Sequence, residues 1–145
     1  MRSICLIKSI GAIEQAIANH PLIAESCVVG MPDPIKGQQP FAFLTLSSVA
    51  LASSGQLTEA LYNEIWTLVR QHVGPVASLA GAIQGVGIIP KTRSGKILRR
   101  VLRDLLSNGV NGQLDKDVVY PSTIEDLSAI SAARECLKEY FQRGL

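Results

Sequence analysis

Aromatic residues are scarce in this 145-residue chain, at 5%, and no apolar run approaches the roughly 18 to 20 residues of a bilayer span, so a membrane-embedded helix is excluded. Charge is also sparse. Charged residues make up 18%, 14 basic against 12 acidic for a net +2, a balance too even to point to a nucleic-acid partner. Cysteine is limited to Cys5, Cys27 and Cys136, an odd number with no C-x-x-C pair, and histidine to His20 and His72. Neither a disulfide framework nor a zinc site follows, and reduced, buried thiols are expected at Cys27 and Cys136. A reducing compartment, cytoplasm or mitochondrial matrix, suits those thiols. Met1 to Lys8 lacks the apolar stretch of a signal peptide and the Arg/Ser-rich length of a transit peptide, so no targeting signal is legible. A local absence says more: from Ile65 to Arg103 there is no Asp or Glu, while Lys91, Arg93, Lys96, Arg99, Arg100 and Arg103 crowd the end of that stretch.

What is present is a chain that folds. Hydrophobic residues reach 47%, above the range of disordered tails, and the length suits one domain or a piece of something larger. Ile10, Ile13 and Ile17 recur at helical spacing after Ser9, an expected N-cap, and the pattern stops at His20-Pro21. Ala24 to Val29 reads as a strand, followed by turn chemistry from Gly30 through Pro34 to Gly37; Phe41 to Leu46 reads as its antiparallel partner, with Pro40 at the strand start. Ser47 to Gln56 is a small, polar loop. Leu57, Leu61, Ile65, Leu68 and Val69 stripe a second helix that ends at Gly74-Pro75, with Arg70 off the stripe and Trp66 in packing.

Ala82 to Ile89 reads as a third strand, interrupted by Gly85 and Gly87. Ile97, Leu98, Val101, Leu102, Leu105 and Leu106 stripe a third helix that Asn108-Gly109 is expected to cap, and Ile130, Ala133, Leu137, Tyr140 and Phe141 stripe a last one. The irregular alternation with short connections predicts an α+β fold, a small three-stranded, mainly antiparallel sheet flanked by helices.

The basic loop Pro90-Lys91-Thr92-Arg93-Ser94-Gly95-Lys96 joins a strand end to a helix start. It is not a P-loop, because Pro90 stands where Gly is needed and Ile97 where Ser or Thr is needed. A nucleic-acid patch is disfavoured by the lack of neighbouring aromatics. The plain structural reading is a solvated helix face for Arg99, Arg100 and Arg103. His72 reads as a surface residue, as do Lys36 and Gly37 in their turn.

The stretch Pro90 to Ile97 followed by Arg99-Arg100 resembles the signature of acyl-CoA synthetases in the adenylate-forming superfamily, specifically the short-chain acetyl and propionyl types. In family order, Gly11-Ala12-Ile13-Glu14, His20-Pro21, Val28 to Gly37 and Val69 to Pro75 add to it. The resemblance covers residues 9–143, with a C-terminal helical extension from about 122, and leaves 1–8 divergent. The tail Ser122-Thr123-Ile124-Glu125-Asp126 is similar to propionyl-type members, which leans towards propionate-like acids.

The resemblance implies the mobile C-terminal domain of an acid-thiol ligase that converts a short-chain carboxylate, ATP and CoA to acyl-CoA, AMP and pyrophosphate through an acyl-adenylate. It implies that ATP and its Mg2+ sit in an N-terminal adenylating core absent from this sequence, so that the chain looks like a fragment or paralogue piece, inactive by itself. It matches Lys96 to the family's catalytic lysine, where an ammonium offsets charge building on the α-phosphate. Around it Gly95 permits close approach, Ser94 hydrogen-bonds nearby backbone, and Thr92 and Arg93 fix the loop's shape. Arg70 matches an arginine that meets a phosphate of CoA. The expected partners are the core, CoA, and a lysine acetyltransferase and deacetylase acting on Lys96, with neither nucleic acid nor membrane. The alternative is a non-enzymatic standalone or remnant domain that binds a partner or CoA.

Overall fold

A computed structural model describes residues 2–33, 37–47, 59–74 and 80–142, and the side chains of 10–32, 37–47, 60–74 and 80–142. The described elements run α1 (Arg2–Ala18), β1 (Ile23–Asp33), β2 (Gly37–Leu46), α2 (Glu59–Val73), β3 (Gly81–Gln84), α3 (Arg99–Val110) and α4 (Ser128–Gln142). The architecture is α+β, with a three-stranded sheet in the order β1-β2-β3. The expected loop at 47–56 lies almost wholly outside the described residues, as does Lys36.

The sheet is covered on both faces, and the strands alternate accordingly. Cys27, Val29, Phe41, Phe43 and Ile83 join one core with Val101, Leu102, Leu105 and Leu106 of α3 and Ile130, Ala133 and Leu137 of α4. Their neighbours Val28, Ala42, Leu44 and Leu46 join a second core with Ile13, Ala16 and Ile17 of α1 and Leu61, Ile65 and Val69 of α2, against which Trp66 packs. Phe41 through Leu44 is therefore buried without a break, as expected of a central strand between two helical layers. Each fully buried Leu, Ile or Phe contributes about 1.5–3 kcal/mol, so the two apolar faces of this one strand anchor both layers.

Several boundaries differ from those expected. α1 begins at Arg2, so Ser9 lies inside the helix and is not its N-cap; Arg2 to Lys8 contains neither Pro nor Gly to stop it. Gly30 to Asp33 is strand and not turn, paired in register from Gly30↔Pro40 to Asp33↔Gly37. Pro32 is tolerated there because β1 is an edge strand. β3 is only Gly81–Gln84 and runs parallel to β2, because the connection carries α2 and returns the chain to the same end of the sheet. Ile88 and Ile89 are buried but lie beyond the strand, after a turn with Gly87 at φ 70°.

Gly109 does not cap α3. It is buried inside the helix under the Phe141 ring, and the end falls at the next Asn-Gly pair, with Asn111 at the C-cap and Gly112 at φ 73°. Aromatic edges close that side of the core: Phe41–Tyr140 and Tyr140–Phe141 centroids both lie 5.3 Å apart. Cys27 is buried, and burial pushes its thiol up to about 12 against the opposing Arg99 charge, so it stays protonated. Among the described residues no helix is long and apolar enough to cross a membrane.

Candidate functional site

The basic loop is a closed ring of hydrogen bonds centred on Thr92. Its N–H donates to the Lys96 carbonyl (2.8 Å), its carbonyl accepts from Gly95 N–H (2.9 Å), and its Oγ1 accepts from Lys96 N–H (3.1 Å). Ser94 Oγ lies 2.9 Å from Thr92 Oγ1, so the Ser94 side chain meets a hydroxyl and not the backbone expected for it. Gly95 makes the tight return at φ 93°, a conformation that favours glycine, and a Cβ there meets no atom of this chain within 4 Å. Lys91 and Ile97 bridge antiparallel across the base, and Leu98 N–H donates to the Pro90 carbonyl (2.9 Å) in place of a side-chain cap on α3.

A second segment braces this ring. Arg93 N–H donates to the Thr123 carbonyl (3.0 Å), Glu125 N–H donates to the Lys91 carbonyl (2.8 Å), and Ile124, bridged to Thr92, is buried. The Lys91 ammonium pairs with Glu25 of β1. Lys96 is exposed at the end of the ring, and its ammonium has no hydrogen-bond or ion-pair partner among the described residues. Thr92, Arg93, Ser94, Gly95 and Lys96 thus share one turn.

Arg70 does not join them. It is exposed on α2, in the layer on the other face of the sheet from α3, and its carbonyl accepts the Gly74 N–H (3.1 Å) that closes the helix. His72 is exposed on the same last turn, as expected.

Three features escaped the residue pattern. Arg99, read as a solvated helix face, forks onto Glu14 of α1, with Nη1 2.7 Å from Oε2 and Nη2 2.8 Å from Oε1. The bond to Glu14 raises the arginine's pKa further. His20 is buried, with Nδ1 accepting from Leu22 N–H (3.1 Å) and Nε2 3.0 Å from Glu64 Oε2, which puts the ring proton on Nε2. The third is the Thr123–Glu125 brace. The sequence signalled them only through family-like stretches, which hold Glu14, His20, Arg99 and the Ser122–Asp126 tail; partners this distant in the chain leave no periodicity to read. A shallow depression lined by His20, Asn63, Glu64 and Thr67 contains none of the expected site residues.

Comparison with known proteins places the chain in a family. The AMP-binding enzyme C-terminal domain family matches residues 12–96, more than half of the chain. The chain is 44% identical over 126 residues to an acetyl-coenzyme A synthetase of Psychrobacter cryohalolentis, covering 87% of this chain and 18% of that one. A Campylobacter jejuni acetyl-coenzyme A synthetase is 38% identical over 130 residues, 90% of this chain and 19% of the relative. Among solved structures, the acetoacetyl-CoA synthetase of Streptomyces lividans superposes with a TM-score of 0.65 at 26% identity, covering 88% of this chain and 18% of that one. A Brucella canis acyl-CoA synthetase gives a TM-score of 0.60 at 30% identity, covering 72% of this chain and 18% of that one. The chain spans about a fifth of the length of the relatives it matches. With a family match through the Thr92–Lys96 ring and the same fold in acyl-CoA synthetases, the chain belongs to the AMP-binding enzyme C-terminal domain family.

Proposed function

We propose that the chain works as the C-terminal part of a short-chain acyl-CoA synthetase, joined to or docked on an N-terminal core, turning acetate or propionate, ATP and CoA into acyl-CoA, AMP and pyrophosphate. In the first half-reaction a carboxylate oxygen attacks the α-phosphorus and pyrophosphate leaves. Negative charge builds on the α-phosphate oxygens, and the Lys96 ammonium offsets it. In the second, the CoA thiol sulfur attacks the acyl carbonyl, its proton is lost and AMP leaves; Arg70 receives a CoA phosphate with its planar fork.

The observation that supports this reading is an ordered ring presenting an exposed ammonium with no partner among the described residues. Lys91, on the near side of the ring, is instead paired with Glu25. On this reading residues 9–143 form the domain, and Thr92, Arg93, Ser94 and Gly95 hold Lys96 against the nucleotide. Acetylation of Lys96 removes the charge and stops adenylation, which makes an acetyltransferase and a deacetylase fitting regulators. The Mg2+ that accompanies ATP is assigned to the core, where the family resemblance implies that the nucleotide sits. The cytoplasm or mitochondrial matrix supplies both ATP and CoA. Because Thr123 and Glu125 bond the loop backbone, the family-like tail bears on loop geometry more than on the choice between acetate and propionate.

Pyrophosphate exchange tests the proposal. The chain alone gives none with acetate or propionate. Fused to the core of a relative such as the Psychrobacter cryohalolentis enzyme, it restores exchange that the core lacks. Exchange by the fusion no faster than by the core alone contradicts the proposal.

A further inference from the structure

The Lys96 ring is held from both flanks by ion pairs that reach the same edge of the sheet. Before the ring, Lys91 pairs with Glu25 of β1. After it, Arg99, the first residue of α3, forks onto Glu14, and its Nη1 also lies 3.5 Å from the Val28 carbonyl oxygen and 3.5 Å from Cys27 Sγ. Glu14 belongs to α1 and Arg99 to α3, helices packed on opposite faces of the sheet, so the pair crosses over the edge strand β1.

The Glu14 side chain is 18% exposed and that of Arg99 43% exposed. Exposed pairs typically contribute no more than about 1 kcal/mol to stability, and Ile13 and Ile17 already anchor α1. A two-point fork has another property: it fixes direction, because both nitrogens must meet both oxygens. Lys96 has no side-chain partner among the described residues, so the aim of its ammonium depends on its backbone, and that backbone runs within three residues into Arg99.

We infer that Glu14 and Arg99 are positioning residues, which set the tilt at the start of α3 and thereby aim Lys96 during adenylation. This inference rests on the proposed role of Lys96. Thr92 gives the ring its internal shape; the fork sets how that ring stands relative to the edge of the sheet. Lys91–Glu25 steadies the other flank. Glu14 is the more decisive member, because a neutral isostere at that position keeps the packing of α1 and removes only the charge.

The test uses the fused enzyme with Glu14→Gln, Glu14→Asp, Arg99→Lys and Lys96→Ala, and follows the two half-reactions separately. Glu14→Gln and Arg99→Lys lower kcat for adenylation by about 10- to 100-fold, the scale on which a small misplacement acts. KM for ATP and carboxylate stays within about twofold, since positioning acts on the transition state and not on ground-state binding. Thioester formation from supplied acetyl-adenylate is unchanged, and Glu14→Asp recovers part of the loss. In the chain itself, amide exchange at Lys96 and Leu98 quickens in Glu14→Gln while Phe41 to Leu44 exchanges as before. Full adenylation in Glu14→Gln and Arg99→Lys beside a crippled Lys96→Ala overturns the positioning role alone. Full adenylation in Lys96→Ala overturns the reading beneath it as well. Equal loss in both half-reactions, or core amides that exchange as fast as the loop, shows a merely structural pair and also overturns the inference. Should Glu14→Gln fail to fold, Arg99→Lys decides by the same readouts.

Discussion

Gly95 and Lys96 divide the work of the loop between backbone and side chain. The glycine adopts φ 93°, a region that costs an L-residue about 1–3 kcal/mol, while the space beside it is open. Gly95→Ala therefore acts through conformation: the variant melts at lower temperature, and the Lys96 amide, bonded to Thr92 Oγ1, exchanges faster. Melting and exchange equal to wild type contradict the strained turn. At this scale the motif made Lys96 and its neighbours legible, because they are contiguous. The partners that hold them were not, since Glu14 and Arg99 stand 85 positions apart. Nothing in the spacing of charges distinguishes Arg99, which has a carboxylate, from Arg100 and Arg103, which remain exposed on the same helix.

Helices α3 and α4 meet through Gly109 and Phe141, where a Cβ on the glycine comes within 2.4 Å of the ring. Gly109→Ala overpacks this contact and destabilises the chain by about 1–3 kcal/mol, despite alanine's higher helix propensity. Thermal or urea unfolding measures it, and Phe141→Leu in the same chain relieves part of the cost; a stabilised Gly109→Ala contradicts the packing. The same glycine explains why the end of α3 was misread. Two Asn-Gly pairs follow each other, and only the tertiary contact with Phe141 decides that the first is helix and the second its cap. The apolar stripes of α2 and α4 were legible because burial on one face imposes a helical period. β3 was over-extended because Ile88 and Ile89 are buried by the fold without being paired in the sheet.

At the start of α4, Asp126 Oδ1 accepts from Ser128 Oγ (2.7 Å) and Ser128 N–H (2.9 Å). The hydroxyl first, and then the amide, hold its carboxyl below the ordinary aspartate value of 3.8. The folded state thus favours the charged form, and its contribution is present above the unfolded pKa and lost as pH falls through the folded one. Asp126→Ala melts below wild type at pH 7, and the gap narrows as pH drops below about 4. A gap independent of pH removes the carboxylate from the cap.

The molecule as a whole carries its two candidate sites on different layers. Lys96 belongs to the loop that feeds α3, and Arg70 to α2 across the sheet, so under the proposed function the two half-reactions draw on different faces of the domain. The most direct measurement is to follow both half-reactions in the fused enzyme carrying Lys96→Ala or Arg70→Ala. Lys96→Ala lowers adenylation by about 100-fold to 1000-fold and spares thioester formation from supplied acyl-adenylate. Arg70→Ala raises KM for CoA by about 10-fold to 100-fold and spares pyrophosphate exchange. Equal losses in both half-reactions from either substitution, or no loss from both, contradict the account.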